Sequence, residues 1–191
     1  MMKPTQFSSQ FLKSKTALKF KTELHDRESV LLVTGPGGTG KSSLLLYAKA
    51  LAGTKRVVTI APTGVAALNI AGETYHSFTR KDVPFNKKDP YFKPQRFKMN
   101  MLQPIDCVLI DEASMLTGFD IDYLDRCLRY LNMCPLKPFG GSKIVMFADY
   151  YQISPVLNDD LRAFLKGERY RSRYSFHAKV FDEIDLQHLE L

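Results

Sequence analysis

The run GPGGTGKS at positions 35–42 carries the residue types needed to hold a chain of phosphates. Four residues separate Gly35 from Gly40, and Lys41 and Ser42 follow, which is the phosphate-loop spacing. Glycines at 35, 37, 38 and 40 let backbone amides curl around oxygen ligands, with Thr39 and Ser43 beside them. The helix that leaves the loop adds the positive end of its dipole. Lys41 would reach the β- and γ-phosphates, and the Ser42 hydroxyl would bind magnesium. A second group sits in LIDEAS (109–114), where an apolar run ends in Asp111 and Glu112. Asp111 would hold the magnesium, and Glu112 would position and deprotonate an attacking water. A third, ADYYQISPV (148–156), offers Asp149 and Gln152. Gln152 is placed to sense a γ-phosphate; a hydrogen-bonded loop residue is the competing role.

These groups need a frame that brings three distant loops together, and the pattern supplies one. VLLVTG (30–35), RVVTIA (56–61), DCVLID (106–111) and KIVMFA (143–148) are short apolar runs without polar alternation. Such runs predict parallel strands covered on both faces. Helical patterns follow three of them, at 41–52, 63–72 and 120–132. The fold expected is a doubly wound α/β domain of the phosphate-loop NTPase class, with a mostly parallel sheet and helices on both faces. In that fold ligands bind at the C-terminal edge of the strands, where all three groups fall.

The helix from Asp120 reads as scaffold. Ile121, Leu124, Leu128 and Leu131 form one apolar stripe, while Asp120, Asp122 and Asp125 lie early and Arg126 and Arg129 late, complementing the dipole. At the N-terminus, five lysines and no acid fall in the first 22 residues. That overlaps with a transit peptide but lacks arginine, so an opening helix with Phe7, Phe11, Leu12 and Leu18 on its apolar side is the reading adopted. Between Arg80 and Pro104 runs a polar stretch with basic residues among aromatics, a long connection of the functional or disordered kind.

Composition sets the outer bounds. The chain has 191 residues, 45% hydrophobic and 25% charged, the balance of a single globular domain. Its charge of +7 favours a polyanionic partner. Cys107, Cys127 and Cys134 are too scattered for a disulfide framework or a zinc site, which suits an intracellular, reducing setting. No apolar stretch is long enough to span a membrane.

The motifs together resemble the Pif-type helicases of superfamily 1B. GPGGTGKS is similar to helicase motif I, APTGVAALNIAGETYHSF (61–78) to motif Ia and its continuation, IDEASML (110–116) to motif II and ADYYQISPV to motif III. KPFGG (137–141) resembles a stretch that separates Pif-type from RecD-type helicases. Motif III departs from the usual Gly-Asp-Phe and Leu-Pro-Pro, reading Ala148-Asp149-Tyr150 and Ile153-Ser154-Pro155. The resemblance implies a RecA-like domain at 28–191 preceded by an adenine-side segment at 1–27, with Gln10, or Gln6, as the adenine-contacting glutamine. It implies ATP and magnesium as cofactors and 5′-to-3′ movement on single-stranded DNA. DNA contacts would fall on Pro62, Thr63 and Gly64, and on His76, Ser77 and Phe78, with core packing the alternative for Phe78. A second RecA-like domain, which supplies an arginine to the ATP site, would be a partner outside this chain. Two other readings compete: a phosphate-loop enzyme such as a nucleoside kinase, and a binding module without turnover. Motif Ia argues against the kinase, which needs no second DNA-facing segment.

Overall fold

A computed structural model describes residues 7–26, 29–53, 55–81, 85, 90–91 and 104–191. Gln6 and most of the basic 81–103 stretch lie outside the described residues.

Among the described residues six strands form one parallel sheet: β1 (Ser29–Thr34), β2 (Val57–Ala61), β3 (Glu73–Thr74), β4 (Cys107–Ile110), β5 (Lys143–Ala148) and β6 (Asp185–Glu190). Their order is β3-β2-β4-β5-β1-β6. Alternate strand residues serve two cores, which is why neither parity is polar. Val30, Leu32, Val108, Ile110, Ile144 and Met146 face one layer. Leu31, Val33, Leu109, Val145 and Phe147 face the other.

The first layer is built on α6 (Gly118–Leu131), whose stripe Ile121, Leu124, Leu128 and Leu131 is buried against the sheet, with α5 (Tyr75–Thr79) beside it. The second is built on α2 (Lys15–His25), α3 (Lys41–Leu51) and α4 (Gly64–Asn69). A short α1 (Ser9–Lys13) precedes α2, and α7 (Asp159–Gly167) follows β5. Registry matters most for the site: Ile60 pairs with Ile110, Ile110 with Met146, and Thr34 with Ala148. The C-terminal ends of β1, β4 and β5 are therefore nearly level, and their following loops meet.

Three expectations change in detail. The opening helix is broken at Ser14, whose hydroxyl accepts from Ala17 N–H and whose extended backbone ends α1. As a result Leu18 turns outward, 53% exposed, while Ala17 and Phe20 take the buried positions. The aspartates of α6 do more than complement the dipole, because all three are buried. Asp120 closes a capping box with Thr117 and pairs with Lys81. Asp122 accepts from the amides of Lys179 and Val180 and from Tyr170 Oη. Asp125 accepts from Phe139 N–H and Arg129 Nε. Burial on this scale requires such partners. They fasten the loops 137–141 and 170–180 to the helix.

Candidate functional site

The phosphate loop takes its shape from two left-handed glycines, Gly38 (φ 80°) and Gly40 (φ 102°), the second capping α3. Side chains at those angles are strained. Gly35 is required for a different reason: a Cβ there would lie 2.7 Å from Thr39 Oγ1 and 3.0 Å from Leu191 Cβ. Thr39 Oγ1 donates to Pro36 O (2.9 Å), closing the loop on itself. Lys41 Nζ donates to the carbonyls of Gly35 (2.5 Å) and Pro36 (2.8 Å), so the ammonium lies along the loop that it would serve.

Gly37, Gly38, Gly40, Lys41, Ser42 and Ser43 line a cleft of about 410 Å³ together with Asp111, Glu112, Asp149 and Gln152. A Cβ on Gly37 would meet Gln152 Nε2 at 3.3 Å, so the glutamine amide stands directly over the loop. Gln152 is held there by a turn in which its N–H donates to Asp149 O (3.2 Å) and Asp149 Oδ1 accepts from Tyr151 N–H (3.1 Å). Tyr150 is turned inward, its hydroxyl 2.7 Å from Ser175 Oγ, and Tyr151 is 99% exposed.

The two carboxylates are electrostatically uneven. Burial pushes the Asp111 carboxyl above its ordinary range, opposed by the Glu112 amide that donates to it and by the Lys41 charge. Glu112 is raised by burial and then by the neighbouring Asp111 charge. Glu112 also has a left-handed backbone, φ 49°, a conformation that costs about 1–3 kcal/mol and is concentrated at functional sites. The cleft can therefore surround a polyphosphate with amides and an ammonium, while placing a proton-accepting carboxylate opposite.

The other residues singled out from the sequence are more dispersed. Gln10 is exposed on α1 and is not part of the cleft wall. Gly35 lines a neighbouring recess of about 360 Å³ with Asp149, Tyr150, Phe176 and His188. Thr63 caps α4 by accepting from Ala66 N–H (3.2 Å); Pro62 and Thr63 are half-buried and Gly64 is exposed. Ser77 is exposed and His76 half-buried, its ring edge-on to Tyr75 with centroids 5.3 Å apart. Burial lowers the His76 pKa. Phe78 requires correction as a base-stacking candidate: it is 7% exposed and packs in the core with Tyr75 and Ile60. Its place one turn along a short helix from Tyr75 turns both rings to the same, inward side.

Sequence reasoning missed Thr117, Tyr75 and Lys81. The Tyr75 hydroxyl donates to Asp120 O (2.7 Å), and the Lys81 ammonium pairs with the Asp120 carboxylate while lying 4.2 Å from the Phe119 ring centroid. The only local signal was the Thr-x-x-Asp spacing at 117–120. Among the described residues no His, Cys, Asp and Glu cluster forms a metal site, and no helix is long and apolar enough to cross a membrane.

Comparison with known proteins places the sequence and the fold in a family. The family model described as PIF1-like helicase matches residues 15–185. An ATP-dependent DNA helicase PIF1 of Saccharomyces cerevisiae is 32% identical over 160 residues, 80% of this chain and 18% of the relative. The helicase PIF7 of Trypanosoma brucei brucei is 34% identical over 87% of this chain and 16% of its own length. Among solved structures, a Pif1 helicase from Bacteroides in complex with ADP-AlF3 and ssDNA superposes with a TM-score of 0.78 at 30% identity, covering 93% of this chain and 41% of that one. The Candida albicans Pif1 helicase gives 0.70 at 28% identity, over 94% of this chain and 40% of that one. The chain thus spans less than a fifth of those curated relatives and about two fifths of those structures. With its phosphate loop, parallel sheet and family match across most of its length, the chain belongs to the PIF1-like helicases.

Proposed function

We propose that this chain binds ATP with magnesium and forms the first RecA-like lobe of a DNA helicase motor that moves 5′ to 3′ on single-stranded DNA. The observation that carries the reading is the meeting of phosphate loop, Asp111–Glu112 and Gln152 around one cleft at the C-terminal edge of the sheet. Backbone amides and Lys41 would bind the phosphates, releasing the Lys41 ammonium from its loop carbonyls. Ser42 and Asp111 offer hard oxygen donors in the same wall, the donor set that suits magnesium. Bound there, the ion would offset charge on the phosphoryl oxygens. Glu112, its pKa raised by burial and by the Asp111 charge, would accept the proton of the attacking water. Gln152 would contact the γ-phosphate and pass its presence to the exposed Tyr151–Ile153 segment.

The relatives are named as DNA helicases, and one related structure holds ssDNA, which supports a nucleic-acid partner here. Pro62–Gly64, His76 and Ser77 stand as its contacts on this lobe; Phe78 does not, since its ring is in the core. A second RecA-like domain would complete the ATP site with an arginine, whose loss costs about 10³–10⁵ in phosphoryl-transfer rate. The 191-residue chain alone should accordingly bind ATP and turn it over slowly. The test is ATP turnover with and without a single-stranded oligonucleotide, beside Lys41→Ala. Lys41-dependent nucleotide binding with little turnover supports the reading. Turnover that rises severalfold with DNA in the wild type would show a complete site and overturn the need for a second domain.

A further inference from the structure

Between α7 and β6 the sequence reads RYRSRYSFHAK (169–179), with arginines alternating against tyrosines. The structure separates the two kinds. Tyr170 donates to the buried Asp122 carboxylate (2.5 Å), and Tyr174 stacks on Phe176 with centroids 5.5 Å apart. Arg169, Arg171 and Arg173 are all exposed, and among the described residues none of them makes an ion pair. Arg169, Arg171, His177 and Lys179 line a recess of about 170 Å³. The acids nearby leave the arginines unpaired: the Asp122 carboxylate accepts from three donors within the fold, Glu168 pairs with Lys179 (3.1 Å) and accepts from Tyr91 Oη (3.3 Å), and Asp182 alone contributes a carboxylate to the wall.

The backbone adds an independent observation. Helix α7 ends in a Schellman turn, in which Tyr170 N–H donates to Leu165 O (3.0 Å) and Arg169 N–H to Lys166 O (3.1 Å). Arg169 therefore occupies the left-handed position, φ 60°, where glycine is favoured. Gly167 lies two residues too early to serve. An arginine kept at a strained position is the sort of outlier from which a role for its side chain can be argued.

The loop also stands in the right place. A Cβ on Gly118, at the start of α6, would lie 3.0 Å from His177 O, and Ser175 Oγ lies 2.7 Å from Tyr150 Oη. Both neighbours follow strand ends at the edge that carries the phosphate cleft. Tyr91, within the chain's other basic and aromatic stretch, reaches Glu168 at the opposite end of the loop.

We propose that Arg169, Arg171 and Arg173 bind the phosphate backbone of single-stranded nucleic acid. The proposal rests on the motor reading above and extends its nucleic-acid surface to a loop outside the helicase motifs. It is tested by fluorescence anisotropy of a labelled oligothymidylate over a salt series, with Arg169→Gln/Arg171→Gln/Arg173→Gln and, separately, Arg169→Gly. Three lost phosphate contacts should lower the slope of log K against log salt by about 2, at about 0.7 per contact on a single strand. Nucleotide affinity should stay at the wild-type value. Arg169→Gly should raise the melting temperature, because glycine fits the turn, while reducing the slope by about 0.7. Opposite signs in stability and binding are what a purely structural arginine would not produce, and this variant decides the matter should the triple one fail to fold. Wild-type slope and affinity in both variants would overturn the arginine surface and leave the motor reading standing. A wild-type chain that binds nucleotide but no oligonucleotide at low salt would overturn both.

Discussion

Replacing Asp122 with alanine should be among the most damaging changes outside the phosphate cleft. The Asp122 carboxylate accepts from Val180 N–H (2.9 Å), Lys179 N–H (3.1 Å) and Tyr170 Oη (2.5 Å). Removing it leaves the Val180 amide buried without an acceptor, the Lys179 amide partly so, and a tyrosine hydroxyl that water can reach. Hydrogen bonds to a charged acceptor contribute about 1.5–3 kcal/mol each, and the hydroxyl recovers part of its loss. The expected cost is about 3–5 kcal/mol, which corresponds to a fall in Tm of about 6–20 °C for a domain of this size. Asp122→Asn keeps one acceptor oxygen and should lie about midway. Urea and thermal melts followed by circular dichroism measure both. Because Asp122 is remote from the cleft wall, nucleotide affinity measured well below the transition should be unchanged. A loss below about 1 kcal/mol for Asp122→Ala would refute the claim that α6 holds the 170–180 loop through its aspartates.

Three further outcomes follow from the same geometry. Glu112→Gln should retain ATP affinity but lower turnover by about 10²–10⁴, measured in a preparation supplied with whatever partner gives detectable hydrolysis. Phe78→Ala should cost about 3–5 kcal/mol in a denaturant melt, as a core ring does, whereas an outward stacking ring would cost DNA affinity and little stability. The Asp120 carboxyl would be raised by burial, but the Lys81 ammonium and the Thr117 donors outweigh it and hold its pKa below the usual range. A depressed folded pKa contributes stability that is present above the unfolded value of about 3.9 and is lost as pH falls through the folded one. Asp120→Asn should therefore be less stable than the wild type near neutrality and show a flatter acid limb in Tm against pH.

The parts of the fold that could be read from the chain are those fixed by contiguous residues. Four strands covered on both faces showed as unbroken apolar runs, and the phosphate loop showed because its glycines, Lys41 and Ser42 are adjacent. β6 was not legible: its residues DLQHLE are mostly polar or half-exposed, and its pairing with β1 joins segments at opposite ends of the chain. β3 is two residues long, and its parallel pairing with β2 leaves no periodic signal. The burial of the α6 aspartates was hidden because part of their partners, Phe139 N–H for Asp125 and the Lys179 and Val180 amides for Asp122, come from loops 14 or more residues away. Phe78 could be assigned either way until the turn of α5 placed it beside Tyr75. The position of Gln152 over Gly37 required the level ends of β1 and β5, which no local pattern encodes.

Titration of the chain with a fluorescent ATP analogue, with and without magnesium, for wild type and Lys41→Ala, asks the phosphate cleft itself what it binds. A functional phosphate cleft should give saturable binding that magnesium strengthens and that the substitution weakens by about tenfold or more, since it removes a charge-assisted contact worth about 1.5–3 kcal/mol. Equal affinity in the two proteins, indifferent to magnesium, would mean that the 35–42 loop does not hold nucleotide, and the motor account would fall with it.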